Sequence, residues 1–248
     1  MIRRRALWFR RVTTSSVLSV AFLLVSASGC FAAAPPPPPP PSVSTLRGGA
    51  DPKTHEVRYL AMGDSITQGI GSPDFESAAF PARLAALWRA KGCQVEMKNV
   101  AVAGYTAVDI LGNEVPEIEA FHPTFITLQV GANDIANNVQ LETFRLQVRL
   151  VLAAATKSGA RVVVLPSNEF WRAPQGASYG AGRDARDAFD AVLFEEARAK
   201  RAELVDLRLL HRQHADKQLW AEDGIHPTVA CYAEMAAELA RVIPAPCQ

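Results

Sequence analysis

The chain has 248 residues, 49% of them hydrophobic and 21% charged, enough for one globular domain with a sizeable core. Its formal net charge is +1, but Arg3, Arg4, Arg5, Arg10 and Arg11 crowd the N-terminus and no acid occurs among the first 29 residues; without that segment 21 basic side chains face 25 acidic ones. A domain near −4 does not suggest nucleic-acid binding, and no nucleic-acid partner is expected.

In chain order, the first 29 residues read as a signal peptide: a basic stretch, then the apolar run Val17 to Ala27, too short to span a bilayer as a mature helix. "SASGC" follows, and small residues directly before Cys30 resemble the lipobox of bacterial lipoproteins, in which that cysteine is lipidated and becomes the new first residue. This resemblance implies an exported protein held to the membrane through Cys30, facing the periplasm or the cell exterior. An ordinary secretory signal and an uncleaved anchor are the alternatives. Residues 30–55 read as anchor and linker, since the seven prolines Pro35 to Pro41 form an extended spacer of about 22 Å.

Residues 56–248 form the domain proper. The apolar run 57–62 ("VRYLAM") predicts a strand, and "FPARLAALWRAKG" carries helical spacing with a glycine stop. Next come "VEMKNV" as strand, 106–119 as a helix interrupted by Pro116, "FITLQV" as strand, and 141–157 as a long amphipathic helix closed by Gly159. The series ends with "VVVLP" (strand), 183–200 (helix), "ELVDL" (strand) and 229–242 (helix). Five β-then-α units in series predict a parallel sheet covered on both faces, in three α/β/α layers.

Sites in such sheets form at the carboxyl ends of strands. After the first stands Gly63-Asp64-Ser65; after the second, Ala103 and Gly104; after the third, Gly131 to Asp134; beyond the fifth, "EDGIHP" with Asp223 and His226. These are the groups acyl transfer needs. A hydroxyl attacks a carbonyl when a base, here His226, takes its proton, and Asp223 three residues earlier can hold the imidazole in the correct tautomer. Ser65, Gly104 and Asn133 can supply oxyanion donors. Asp64, directly beside Ser65, is expected to hydrogen-bond the turn and not to act as the catalytic acid.

"GDSIT", "NVAVAG", "GAND" and "DGIHP", in that order, resemble the sequence blocks of the SGNH hydrolases, also called GDSL esterases and lipases. The resemblance covers about residues 57 to 243. It implies a flavodoxin-like fold with a five-stranded parallel sheet, Ser65 as nucleophile, His226 as base, Asp223 as its orienting acid, and an oxyanion hole from the Ser65 N–H, Gly104 and Asn133. The nucleophile elbow G-x-S-x-G of the α/β-hydrolases is absent. Cys231 stands where the family often has glycine. The implied activity is serine esterase, needing no cofactor and no metal, on a small-molecule, glycan or lipid ester: short-acyl esters, carbohydrate or cell-wall O-acetyl groups, and lysophospholipids all lie within the family's range. An acyltransferase with the same triad and a non-catalytic ligand-binding lipoprotein are the alternatives.

The remaining histidines, His55, His122, His211 and His214, follow no strand in the right chain position, and no acid or cysteine completes a ligand set around His211 and His214. The loop "WRAPQGASYGAG" either lines the substrate pocket or covers the sheet edge. Cys93, Cys231 and Cys247 allow one disulfide. In the flavodoxin-like strand order the first and last helices cover one face and bring Cys93 to Cys247. Cys231, a helix length away at the other edge, reaches neither.

Overall fold

The computed structural model of the protein describes residues 56–179, 182–208 and 219–247. The signal, Cys30, the proline spacer, His55, His211 and His214 lie outside the described residues.

Five parallel strands make one sheet: β1 (Glu56–Met62), β2 (Gln94–Asn99), β3 (Phe125–Gln129), β4 (Arg161–Leu165) and β5 (Glu203–Leu204), in the order β2-β1-β3-β4-β5. This is the flavodoxin-like arrangement, with β1 beside the centre, so the turn that follows it opens at the middle of the carboxyl edge. Register is set by alternation. Val57, Tyr59 and Ala61 of β1 point to one face with Phe125, Val163 and Leu165, while Leu60 and Met62 point to the other with Ile126, Leu128, Val162 and Val164.

Nine helices surround the sheet: α1 (Ser65–Gln68), α2 (Phe75–Ala78), α3 (Phe80–Ala90), α4 (Ala107–Asp109), α5 (Val115–Phe121), α6 (Ala132–Ala136), α7 (Leu141–Lys157), α8 (Arg183–Ala199) and α9 (Val229–Val242), counted among the described residues. In α7 the buried side chains are Phe144, Val148, Val151, Leu152 and Ala155, one stripe at helical spacing. α9 buries Cys231, Tyr232, Met235, Ala236 and Leu239 in the same way, and it packs on α3 against the Tyr59 face. α7 and α8 pair on the opposite face. Helix, sheet, helix: the three-layer fold expected from the sequence is the fold observed.

Three local differences have physical causes. The helix expected over 106–119 is not broken at Pro116; Ile110–Glu114 forms a π-helical turn, with the Val115 N–H reaching back to Ile110 O, and runs on into α5. Pro116 sits in the first turn of α5, where the wider turn accommodates a missing N–H. β5 is two residues long, not five, because its ladder holds only Val163↔Glu203 and Val164↔Leu204. The short helices α1 and α6 fall where the sequence offered only turns.

Cys93 and Cys247 are joined by a disulfide with Cα atoms 5.6 Å apart. Cys231, outside the disulfide, is buried near the start of α9, and burial pushes its thiol up to about 12.

Candidate active site

β1 runs straight into the turn. At Gly63, φ +153, a Cβ would lie 2.5 Å from Thr67 Oγ1 and 2.7 Å from the Gln129 carbonyl, so only glycine fits where β1 ends beside its parallel neighbour β3. Asp64 caps α1: its Oδ1 accepts the Ile66 N–H at 3.0 Å, the turn-forming role expected of it. Ser65 opens α1, 8% exposed, and as a first-turn residue its N–H is not consumed by the helix ladder.

The histidine arrives from the far end of the chain on a tight turn between Trp220 and Pro227, which pair as an isolated antiparallel bridge. The Ala221 N–H donates to His226 O at 2.8 Å and the Thr228 N–H to Leu219 O at 2.9 Å. Within the turn, Asp223 Oδ1 accepts the backbone N–H groups of Ile225 and His226, both at 3.0 Å, and Oδ2 meets His226 Nδ1 at 2.8 Å. Burial opposes ionisation of Asp223, but those three donors outweigh it and hold the carboxyl below the usual aspartate range. With Nδ1 committed to an ionised Asp223, Nε2 is the nitrogen left to act as a base. The Gln175 N–H donates to Gly224 O at 2.9 Å, so the loop after β4 buttresses this turn.

Ser65 and His226 line one small depression together with Asn133, Asn168, Phe170 and Ile225; its free volume is about 10 Å³, room for little more than one water molecule. Asn133, in the first turn of α6, donates through Nδ2 to Tyr105 O at 3.0 Å. A primary amide has two N–H bonds, so one fixes the side chain and the other remains for a ligand. Gly104, adjacent to Tyr105, is exposed with φ +86 and is not among the residues lining the depression. Its loop is held by Gln68, whose Oε1 accepts the Ala103 N–H at 2.7 Å. A larger hollow of about 440 Å³ between α5 and α7 is lined by His122 and Ser158, but the Ser158 hydroxyl is committed to the helix end, donating to Ala155 O at 2.7 Å and accepting the Ala160 N–H at 3.2 Å.

Beneath the depression lie three buried carboxyls. Glu114 Oε2 accepts the Gly63 N–H at 2.8 Å, and Asp134 accepts the Ala107 N–H at 3.0 and 3.2 Å, tying α4 to α6. Burial pushes Glu114 up to about 9, Asp64 up to about 7 and Asp134 up to about 6, and repulsion adds to each rise, from Asp64 on Glu114, from Asp134 on Asp64 and from Asp109 on Asp134. Among the described residues no group of three or more His, Cys, Asp and Glu is placed to hold a metal ion.

Of the sequence-expected residues, then, Ser65, Asn133, Asp223 and His226 come together, and Gly104 stands nearby on a tethered loop. Asn168, Phe170 and Ile225 line the same depression without any motif to announce them. Asn168 follows β4 by two strand-end residues, which is the only signal it carries.

The fold and this grouping define an α/β protein with serine, histidine and aspartate gathered at the carboxyl edge of a parallel sheet. The sequence profile of the GDSL-like Lipase/Acylhydrolase family matches residues 61–234, and the chain belongs to that family, a carboxylic ester hydrolase. No curated protein sequence matches it. Among solved structures it is similar to TesA (21% identity over 77% of this chain and 99% of that one, TM-score 0.64). It is similar too to a lipase/acylhydrolase from Enterococcus faecalis (20%, 75% and 95%, TM-score 0.65) and to Axe2, an acetyl xylan esterase from Geobacillus stearothermophilus (18%, 75% and 93%, TM-score 0.62). These likenesses bear on the fold.

Proposed function

We propose that the protein hydrolyses short-acyl carboxylic esters through an acyl-enzyme on Ser65. The observation that carries this reading is the His226 Nδ1 to Asp223 Oδ2 contact of 2.8 Å on a turn that lines the same depression as Ser65. His226 Nε2 takes the Ser65 proton as Oγ attacks the ester carbonyl, then returns it to the departing alcohol. A water activated by the same nitrogen then cleaves the acyl-enzyme, releasing the acid and restoring Ser65. The oxyanion formed at each stage is met by the Ser65 N–H, the Gly104 N–H and the spare N–H of Asn133. Phe170 and Ile225 line the depression beside Ser65, and the little free space between them supports a small acyl group over a long chain.

Ser65→Ala and His226→Ala should each abolish fluorophosphonate labelling and reduce 4-nitrophenyl acetate turnover at least about 10³-fold. Full labelling of Ser65→Ala would sink the assignment. A chain-length series of 4-nitrophenyl esters should peak at two or three carbons; a peak at eight or more would place the acyl group elsewhere.

We further propose that the mature protein is exported and anchored by lipid on Cys30, a reading supported by the "SASGC" stretch and the proline spacer after it. It should partition into detergent, and Cys30→Ser should release it or stall its processing with esterase activity retained. An unmodified terminus downstream of Cys30 in mass spectrometry would count against the anchor.

A further inference from the structure

The segment between β2 and α4 carries the Gly104 N–H, and little of it is fixed by packing. Ala101 at its root and Thr106 at its end are buried, whereas Val102, Ala103 and Gly104 between them are exposed. Burial therefore does not set the position of the Gly104 amide, and hydrogen bonds must. Within the segment the Tyr105 N–H donates to Val102 O at 3.2 Å, which shapes the turn without tying it to the rest of the domain. The ties run to α1. Asn99, the last residue of β2, donates through Nδ2 to Thr67 O at 2.8 Å while its Oδ1 accepts the Ala101 N–H at 3.2 Å. One residue along α1, Gln68 Oε1 accepts the Ala103 N–H at 2.7 Å, a single peptide unit from the Gly104 amide. Gln68 is in turn fixed relative to Ser65. Both belong to one helical turn, in which the Gln68 N–H donates to Asp64 O and the Gly69 N–H to Ser65 O, each at 2.9 Å.

We infer that Gln68 is a positioning residue for the reaction: its side-chain carbonyl fixes the Gly104 N–H relative to Ser65, so that nucleophile and oxyanion donor are held as one piece. The inference rests on the esterase reading above, with Gly104 as a donor in it. Gln68 is not among the residues lining the depression, and it acts only through the segment it holds. Donors stabilise an oxyanion when they already point to where charge will develop; a donor on a loose segment has to be ordered at the moment of reaction. The other side of the segment is held by Asn133, whose Nδ2 donates to Tyr105 O at 3.0 Å. Three oxyanion donors, one from beyond each of β1, β2 and β3, are thereby joined through two side-chain hydrogen bonds. Gln68 is half-buried, so water can satisfy the Ala103 N–H once the glutamine is gone. The fold should then survive the change, and the fixed distance should not.

The test compares the wild-type protein with Gln68→Met, which keeps the length of the side chain and removes the acceptor. With 4-nitrophenyl acetate, kcat should fall about tenfold to a hundredfold while KM stays within about twofold, the cost of displacing one group from the reacting geometry. Ethylboronic acid, which binds a serine hydroxyl as a tetrahedral adduct, supplies the readout that a merely structural role would not move. Its inhibition constant should rise by a similar factor, because the adduct places an oxygen where the oxyanion forms. Should the methionine variant not fold, Gln68→Ala takes its place with the same expectations. An unchanged kcat overturns the inference, as does a loss carried mainly by KM, or a lower kcat with boronate affinity intact. A wild-type protein that is labelled by a fluorophosphonate and cleaves the ester, beside a variant that matches its kcat, refutes this inference alone. A wild-type protein that is neither labelled nor active refutes the esterase reading itself.

Discussion

At the scale of single residues, the catalytic geometry depends on groups that never meet substrate. Gly71, φ +95, lies so close to the histidine turn that a Cβ there would stand 2.7 Å from Pro227 O and 2.9 Å from His226 Cβ. Gly71→Ala should therefore move His226 and lower kcat by about 10² with little change in KM, since a shift of about 1 Å in a reacting group costs that much. Unchanged kcat would mean that the turn absorbs the extra methyl elsewhere. Asn133→Ala should reduce kcat by about 10² to 10³ with KM nearly constant, because its free N–H matters once charge has developed on the oxyanion. A change confined to KM would make Asn133 a ground-state contact. Glu114 tests the buried acids. Its pKa is pushed up to about 9 in the folded protein against 4.5 for the exposed group, so the native state holds a proton that the unfolded chain releases. Its stabilising contribution is complete below about pH 4.5 and is lost progressively as pH rises through about 9. Glu114→Gln, which stays neutral, should flatten the thermal melting curve between pH 6 and 9.5, where the wild type loses several degrees. Parallel pH dependences for the two proteins would show that Glu114 is ionised after all.

At the scale of elements, legibility followed the kind of force that builds each one. α7 and α9 were readable to the residue because burial of a stripe is written into the spacing of Phe144, Val148 and Leu152, or of Tyr232, Met235 and Leu239. β5 was overestimated because "ELVDL" shows apolar residues but not how far the neighbouring strand extends to pair with it. The π turn before α5 was invisible, since what holds Glu114 inside is the Gly63 amide 51 residues earlier, a contact no local pattern records. The same holds for Asn168: Ser65, Asp223 and His226 lie in motifs with fixed spacing, whereas a single amide three residues past a strand end looks like any loop. That loop is anchored to α8 by Arg186, whose Nη2 donates to Ser167 O at 3.0 Å and whose guanidinium lies over Trp171 while paired within α8 to the buried Asp190, which sets its own expectation. Arg186→Leu leaves Asp190 without its closest cation and should destabilise the fold by about 3 to 5 kcal/mol, read from chemical denaturation. A loss under about 1 kcal/mol would mean that Arg208, 3.3 Å from the same carboxylate, suffices alone.

At the scale of the whole molecule, the order β2-β1-β3-β4-β5 gathers a nucleophile from the first strand and a base from beyond the last at one edge. That much was legible in the sequence, because alternating strand and helix patterns leave few topologies open. The disulfide belongs to this scale as well, since its two halves are adjacent only when the first and last major helices share a face. Its sequence separation is 154 residues, and on the chain-entropy account opening so long a loop removes about 5 kcal/mol of stability. Cys93→Ser with Cys247→Ser should accordingly lower the melting temperature by 10 °C or more, at about 2 to 4 °C per kcal/mol for a domain of this size. Activity at low temperature should persist. A shift under 3 °C would show that the helix packing closes the domain unaided.

That bond has a topological side too. From Cys93 to Cys247 the polypeptide is a covalent ring that takes in every element from β2 onward, while β1, α1, α2 and α3 precede it. A protease that cuts once inside the ring, for example in the loop after β4, opens a circle and severs nothing: both pieces travel together until a reductant is added. The strand that presents the nucleophile is a free arm laid across that circle, so its hold on the domain is entirely non-covalent until it reaches Cys93.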